Sequence, residues 1–176
     1  MPSQTCRDLE VINNVVSGNK YFYVGSEIGK NAIKAISDKM YDKDNFILMP
    51  MSIGEVVAVA HENEYSHIDF DFCETFVSNY QIIQDAVQRN AVKVGGIIAM
   101  TFDSRDAKMK LLAPSIIGRK KCKALGWKGL VLPTITKFLK SVGGRRYEII
   151  HTPETYSDSP VGIGANMVFA MIRRVK

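Results

Sequence analysis

Short apolar runs alternate with amphipathic segments along most of this 176-residue chain. Such alternation is typical of βα units, in which parallel strands are joined by crossover helices. The sequence therefore predicts an α/β fold with a mainly parallel sheet and helices on both faces. The strand candidates are 20–25, 45–51, 65–72, 95–102, 145–156 and 165–175, and the helix candidates are 31–40, 53–63, 77–90 and pieces of 104–141.

The last two strand candidates follow one another without a helix between them, so we expect a C-terminal antiparallel hairpin that closes the sheet. Gly95 and Gly96 precede an apolar run, which predicts a tight turn leading from a helix into that strand. The length suits a single domain over residues 1–176 with one hydrophobic core.

Several classes of protein fit the sequence poorly. No apolar run reaches the roughly 20 residues of a membrane span, and the N-terminus has no apolar signal core, so we expect a cytoplasmic protein without a membrane partner. The cysteines, at positions 6, 73 and 122, are widely spaced, which argues against a disulfide framework. The three histidines are not at ligand spacing, so no metal site is expected.

Positive charge is concentrated in residues 105–146, which hold twelve Lys or Arg residues and a single acid, Asp106, for a charge of +11. The rest of the chain carries −6. A basic face attracts polyanions and gains free energy by releasing their counterions, which favours nucleic acid as a partner. The alternative is that folding disperses these charges around the surface.

An acid follows the first strand candidate, in the segment YFYVGSEIGKNAIKAI. In nucleotide-binding α/β folds, an acid at such a strand end accepts hydrogen bonds from ribose hydroxyls, and Glu27 has that position. Gly25 and Gly29 would let the backbone approach a ligand closely. The alternative interpretation is a solvent-exposed turn.

A second candidate site is the segment IDFDFCETF. Asp69 and Asp71 alternate with large apolar residues, so both face the same side of the strand near its carboxyl end, where open α/β sheets bind ligands. They are candidate catalytic residues, although a solvated strand face would show the same pattern. Cys73 could act as a nucleophile towards a pyrimidine ring, but a cysteine in this position more often packs.

The centre of the basic segment is GRKKCKALGWKG. Its cations would contact phosphates, and its tryptophan could stack on an unpaired base or belong to the core. The candidate nucleic-acid-binding residues are Arg119, Lys120, Lys121, Lys123, Trp127 and Lys128.

Taken in order, residues 20–175 resemble class I S-adenosylmethionine-dependent methyltransferases, which implies a Rossmann-like sheet and S-adenosylmethionine as cofactor. YVGSEIGKNAIKAI is similar to the family's second strand and NFILMPMSIGEVV to its third. IDFDFCETF is similar to the fourth strand, in the form seen in tRNA guanine dimethyltransferases, and AVKVGGIIAMTF to the fifth. The final hairpin is similar to the family's reversed seventh strand. The resemblance implies cofactor contacts from Gly25, Glu27, Met51, Ser52 and Asp69.

The sequence departs from the family in three places. The Gly-rich loop expected after the first strand is degenerate or missing, since Gly18 is the only glycine in residues 1–20. Met51 or Ser52 stands where the third strand usually supplies an acid, and Glu74 replaces a glycine and could narrow the pocket.

Three functions remain open on the sequence. The first is a methyltransferase acting on RNA or DNA, with Glu27, Asp69 and Asp71 around one cleft. The second is a non-catalytic nucleic-acid-binding or assembly module. The third is an enzyme using another nucleotide, but neither GxGxxG nor GxxxxGK[ST] occurs. Under any of these functions, a homodimer would cover the sheet edge or face that a missing first unit leaves.

Overall fold

The computed structural model describes residues 23–26, 34, 37–38, 46–105, 108–126, 129–157 and 166–176. The chain divides into two compact units, one ending at Val59 and the other beginning at Ala60. Each unit has its own parallel strand pair, as the alternating sequence pattern predicts.

In the first unit, strand β1 (Tyr23–Ser26) pairs in parallel with strand β2 (Phe46–Met49). Helix α1 (Ile53–Val59) follows and buries Val56 and Val57. Strand β2 and helix α1 lie within the segments predicted from the sequence, with shorter bounds, whereas β1 overlaps the predicted segment 20–25 and continues one residue beyond it, to Ser26.

The second unit contains a four-stranded sheet with the strand order β3-β4-β6-β5. Strands β3 and β4 are parallel, whereas β6 runs antiparallel to both β4 and β5. The predicted α/β fold and its C-terminal antiparallel hairpin are therefore confirmed. The elements are β3 (Tyr65–Thr75), α2 (Phe76–Gln88), β4 (Val92–Asp103), α3 (Met109–Ile117), α4 (Arg119–Leu125), α5 (Val131–Gly143), β5 (Tyr147–Ser157) and β6 (Asn166–Arg174).

Aromatic side chains join one face of this sheet to helices α2 and α5. Phe72 of β3 stacks on Phe102 of β4 with 5.6 Å between ring centroids. Phe76, the first residue of α2, meets Phe102 edge-on at 5.3 Å and Phe138 of α5 at 5.2 Å. All four rings are buried, and each contributes about 2 kcal/mol or more by leaving water. The opposite face of the sheet carries Asp69 and Asp71 of β3 and Thr101 of β4.

The Gly-Gly pair does not form a turn before β4, as the sequence suggested, but lies inside the strand. Pairing moves from Tyr65↔Val92 directly to His67↔Ile97, so extra residues of β4 bulge out between these pairs. Gly95 has a φ of +84°, which suits glycine. A Cβ on Gly96 would lie 2.9 Å from the carbonyl oxygen of Ser66. The glycines are therefore needed for a β-bulge and close strand contact.

No helix among the described residues is both long and apolar enough to cross a membrane.

Candidate active site

Asp69 and Asp71 lie on the face of β3 opposite the aromatic core. Their neighbours Ile68, Phe70 and Phe72 are buried, whereas both aspartates are exposed. The alternation in the sequence correctly placed the two acids on one face, because successive side chains of a strand point to opposite sides.

Strand β3 is longer than the sequence suggested, since it continues to Thr75. Its regular register with β4 nevertheless ends at the pair Asp71↔Thr101, after which pairing resumes only at Thr75↔Asp103. Asp71 is thus the last residue of β3 before an irregularity. Irregular pairing of this kind re-aims side chains near the ends of strands, often beside active sites.

A hydrogen bond between the two strands orients Asp71. The hydroxyl of Thr101 on β4 donates to Oδ1 of Asp71 over 2.6 Å. A bond from a hydroxyl to a carboxylate is short and comparatively strong because the acceptor is charged. The carboxylate is therefore positioned from the neighbouring strand.

Asp103, the last residue of β4, is an acid that the sequence reasoning missed. Two residues beyond Thr101, it lies on the same face of the sheet. Arg105 binds it twice through the side chain, with Nη2 2.8 Å from Oδ2 and Nε 3.1 Å from Oδ1, and its backbone N–H also donates to Oδ1 at 2.8 Å. The hydrogen bonds from the Arg105 side chain lower the pKa of Asp103 despite partial burial.

A signal for Asp103 was present in the sequence. The residue directly follows the apolar run that predicts β4, so the rule applied to Asp69 and Asp71, acids near the carboxyl end of a parallel strand, also covers it. Thr101, in contrast, could be recognised only once the register of β3 and β4 was known.

The candidate active site therefore consists of the carboxyl halves of β3 and β4 on the face away from the aromatic core. Neighbouring β6 provides an apolar border, since Phe169 pairs with Thr101 and Met167 with Asp103. This arrangement can accept hydrogen bonds from amines and hydroxyls beside an apolar surface. The site comprises Asp69, Asp71, Thr101, Asp103 and Arg105.

The first unit contains the other residues proposed to bind the cofactor. Gly25 lies in β1, paired with Leu48 of β2, and Glu27 lies outside the described residues, as does Gly29. The backbone N–H of Met51 donates to the carbonyl of Met49 over 2.8 Å, in a turn that ends β2. The expected cleft shared by Glu27 with the aspartates stays a prediction.

Ser52 has a structural role that the sequence reasoning overlooked. Its backbone N–H and its hydroxyl both donate to Oε2 of Glu55 at 2.7 Å, and the N–H of Glu55 donates to the Ser52 hydroxyl at 3.3 Å. This is the capping box that the pattern Ser-x-x-Glu predicts at a helix start. The Ser52 hydrogen bonds lower the pKa of Glu55.

Cys73 lies within β3, two residues beyond Asp71, and its nucleophilic role stays a prediction. Its neighbour Glu74 is exposed. Among the residues that the structure describes, no three His, Cys, Asp or Glu side chains are grouped so that they could hold a metal ion.

The basic segment contributes an exposed cationic helix. Helix α4 has no buried residue, and its four cations, Arg119, Lys120, Lys121 and Lys123, are all exposed. Trp127 and Lys128 lie outside the described residues. The segment is partly dispersed by folding, because Arg105 pairs with Asp103 whereas Arg146 donates to Asn90 over 2.8 Å at the other end of the sheet.

No protein-family model matches the sequence, and no curated protein matches it significantly. Solved structures do match the fold. An rRNA methylase from Streptococcus thermophilus has a TM-score of 0.56 at 13% identity, covering 100% of this chain and 84% of that one.

Two further solved structures show how widely the fold is used. The plantazolicin methyltransferase BamL, in complex with SAH, has a TM-score of 0.61 at 10% identity over 99% of this chain and 75% of its own. The 4+2 cyclase SpnF has a TM-score of 0.58 at 12% identity over 98% of this chain and 72% of its own. The strand order, the reversed final strand and these matches together show that the chain has the fold of class I S-adenosylmethionine-dependent methyltransferases.

Proposed function

We propose that the protein is an S-adenosylmethionine-dependent methyltransferase that acts on nucleic acid. The observation that carries this proposal is the bond between Thr101 and Asp71, which orients an exposed carboxylate near the carboxyl ends of two parallel strands. In open α/β sheets, ligands bind outside these strand ends. The family's fold adds methyl transfer as the reaction class.

The aspartates are proposed to position the substrate. The bond from Thr101 orients Asp71, and a carboxylate oriented in this way can accept a hydrogen bond from a target amine. Holding that amine in line with a methyl donor is the main catalytic requirement. Asp71 is therefore proposed as the residue closest to the chemistry, with Asp69 orienting the amine or the cofactor.

S-adenosylmethionine would supply an electrophilic methyl group on a sulfonium centre. The side chains of the candidate active site suit S-adenosylmethionine chemically. Carboxylates such as the exposed Asp69 accept hydrogen bonds from the ammonium and ribose hydroxyl groups of this cofactor. Glu27 retains its proposed role in binding the ribose. Gly25, Met51 and Ser52 are proposed to make the remaining contacts with the cofactor.

A nucleic-acid substrate is supported by charge. Four exposed cations on the seven residues of α4 form a site at which phosphates can replace small counterions. The likeness of fold to an rRNA methylase from Streptococcus thermophilus is consistent with this proposal.

The central test combines cofactor binding with methyl transfer. Calorimetry should detect S-adenosylmethionine binding to the wild type and a loss of affinity in Glu27→Ala. Labelled methyl groups should then appear in RNA or DNA, and Asp71→Asn should reduce this transfer with little effect on cofactor affinity. Asp85→Asn is a matched control, since this acid lies on α2, where it accepts a bond from Gln81. A wild type that binds no cofactor would rule out the enzyme.

A non-catalytic nucleic-acid-binding or assembly module is the second candidate. The Ser52 hydroxyl, in a position proposed for cofactor binding, already caps α1 through Glu55, and residues 1–20 contain a single glycine. Binding that falls with salt and needs no cofactor would support the module. A cytoplasmic location, a possible homodimer and a single domain over residues 1–176 are also proposals.

A further inference from the structure

A groove lies between helix α4, helix α5 and strand β5, and none of its lining residues belongs to the candidate active site. It has a volume of about 340 Å³ and is lined by Lys121 of α4, by Lys137 and Lys140 of α5, and by the apolar side chains Leu132, Pro133 and Pro153. Three cations thus surround a partly apolar floor.

The periodicity of α5 places two of these lysines in the groove. Pro133, Lys137 and Lys140 are spaced by four and three residues, so they lie along one side of the helix. The buried residues Ile135 and Leu139 form its other side, which faces the core. The same helix therefore provides a core contact and a cationic wall.

Within the described part of the chain, no carboxylate forms an ion pair with Lys121, Lys137 or Lys140. All three lysines are exposed. Like charges three residues apart on a helix repel one another, and an anion in the groove would relieve this repulsion. The groove therefore favours a negatively charged occupant.

The apolar floor narrows the chemistry of that occupant. Inorganic anions gain nothing from Leu132 or the two prolines, whereas a nucleotide offers both a charged phosphate and a flat apolar base. The volume is at the lower end of the roughly 300–1,000 Å³ typical of small-ligand sites. Other exposed cations, Arg119, Lys120 and Lys123, lie on the same short helix α4, which suits a strand with repeated phosphates.

We propose that this groove holds one unpaired nucleotide of a single-stranded nucleic acid, with Lys121, Lys137 and Lys140 contacting adjacent phosphates. This proposal rests on the proposed function, because the nucleic acid held in the groove is taken to be the substrate of methyl transfer. An unpaired base can enter such a groove, whereas the bases of a duplex remain stacked on one another. The groove would thus anchor the substrate at a distance from the reacting carboxylates.

The test compares two double variants that remove the same charge. Lys137→Ala with Lys140→Ala alters the groove, and Lys93→Ala with Lys176→Ala removes two exposed lysines that do not line it. Both are titrated with a labelled 12-nucleotide oligouridine, with a duplex of equal length and with polyglutamate, over a range of salt concentrations. Circular dichroism checks that each variant folds.

The groove variant is expected to bind oligouridine about tenfold more weakly than the control variant at 0.1 M salt. Losing two phosphate contacts should also reduce the salt slope by about 1.4. Binding to duplex should differ less between the two variants, because the bases of a duplex stay stacked and do not enter the groove, so its phosphates are not held beside Lys137 and Lys140.

Equal oligouridine binding by the two variants would overturn the proposal, as would an equal loss for duplex or a loss confined to polyglutamate. A wild type that binds no oligouridine would also overturn it. The proposed function can fail independently of the groove. If the protein binds oligouridine through the groove but transfers no methyl group, the groove proposal is supported and the methyltransferase proposal is overturned. If the protein methylates nucleic acid but the two double variants bind oligouridine equally, the proposed function is supported and the groove proposal is overturned.

Discussion

The hydroxyl of Thr101 on β4 donates a 2.6 Å hydrogen bond to the carboxylate of Asp71 on β3. This bond joins the last regularly paired residue of β3 to the neighbouring parallel strand. It therefore connects the register of the sheet with the orientation of the side chain proposed to be closest to the chemistry.

Replacing Thr101 by valine keeps the shape of the side chain and removes the donor. We expect Thr101→Val to lower kcat for methyl transfer by about tenfold, because hydrogen bonds to charged groups contribute roughly 1.5–3 kcal/mol. Cofactor affinity should change little. Steady-state kinetics and calorimetry measure the two quantities, and Thr101→Ser, which restores the hydroxyl, should recover most of the rate. Equal losses in the serine and valine variants would mean that packing, not the bond, matters.

The contact between Arg105 and Asp103 predicts a pH dependence. The pKa of Asp103 is lowered by its hydrogen bonds with Arg105, so this pair stabilises the fold above the ordinary aspartate pKa of about 3.9. That stability is lost as the pH falls through the lowered value. Arg105→Ala should therefore lower the free energy of unfolding at pH 6, by less than about 1 kcal/mol because Arg105 is largely exposed.

As the pH falls through the lowered pKa of Asp103, the wild type and Arg105→Ala should converge in stability, because Asp103 is then protonated in both proteins. Urea unfolding at several pH values checks this expectation, and NMR titration should show a higher Asp103 pKa in the variant. An Asp103 pKa unchanged by the substitution would contradict the assigned cause. Arg105→Lys is the control that keeps the charge but not the two-pronged contact.

Much of the fold could be predicted from the sequence because its signals are local. Alternating apolar residues specified the face of β3 on which Asp69 and Asp71 lie, and the missing helix between β5 and β6 correctly indicated an antiparallel pair. Side-chain direction repeats every two residues in a strand and every three to four residues in a helix. Both patterns can therefore be recognised without knowledge of distant segments.

Other features could not be predicted because they depend on register. The Gly95–Gly96 segment was interpreted as a turn, but pairing of β4 begins earlier, at Val92, so the same residues form a bulge. Thr101 and Asp71 are thirty positions apart, and only the pairing of β3 with β4 joins them. The groove beside α5 likewise depends on helix and strand packing that no local pattern specifies.

Gly96 predicts a strict requirement for glycine in β4. A Cβ there would lie 2.8 Å from the carbonyl oxygen of Lys93 and 2.9 Å from that of Ser66, and backbone atoms cannot move aside as a flexible side chain can. Gly96→Ala should lower the unfolding free energy by about 2–3 kcal/mol. Gly95→Ala, where a Cβ meets nothing within 4 Å, should cost only about 1 kcal/mol from its positive φ. Thermal unfolding of both variants measures the difference, and the reverse order would contradict the bulge geometry.

Ser52 allows two roles of its hydroxyl, helix capping and cofactor contact, to be separated by experiment. If its hydroxyl serves as a helix cap, Ser52→Ala should lower stability by about 1 kcal/mol and leave S-adenosylmethionine affinity unchanged. If the residue also contacts the cofactor, affinity should fall in Ser52→Ala but not in Glu55→Gln, which weakens the same cap from the other side. Chemical unfolding and calorimetry on both variants give the comparison.

Among the charged residues with a predicted effect on stability, Arg174 is expected to cause the largest loss when it is replaced. This side chain is buried, and its Nη1 donates to the carbonyl oxygen of Val92 at 2.8 Å, to that of Asn90 at 3.1 Å and to Oδ1 of Asn63 at 2.9 Å. The guanidinium thereby joins the end of β6 to the segment that leads into β4. Without it, the carbonyl oxygen of Val92 loses a buried donor, and leaving a buried group unsatisfied costs about 1–3 kcal/mol, whereas the carbonyl oxygen of Asn90 keeps the N–H of Asn63.

Arg174→Met should therefore destabilise the protein by about 3 kcal/mol or more, even though methionine fills much of the same volume. Arg174→Lys should recover only part of this loss, because an ammonium group cannot reproduce the spread of guanidinium donors. The control is the adjacent Arg173→Met. Arg173 is exposed and pairs with the exposed Glu148, so its loss should cost less than about 1 kcal/mol. Urea unfolding of the three variants ranks them, and similar losses for the two methionine variants would show that burial of Arg174 does not determine its contribution.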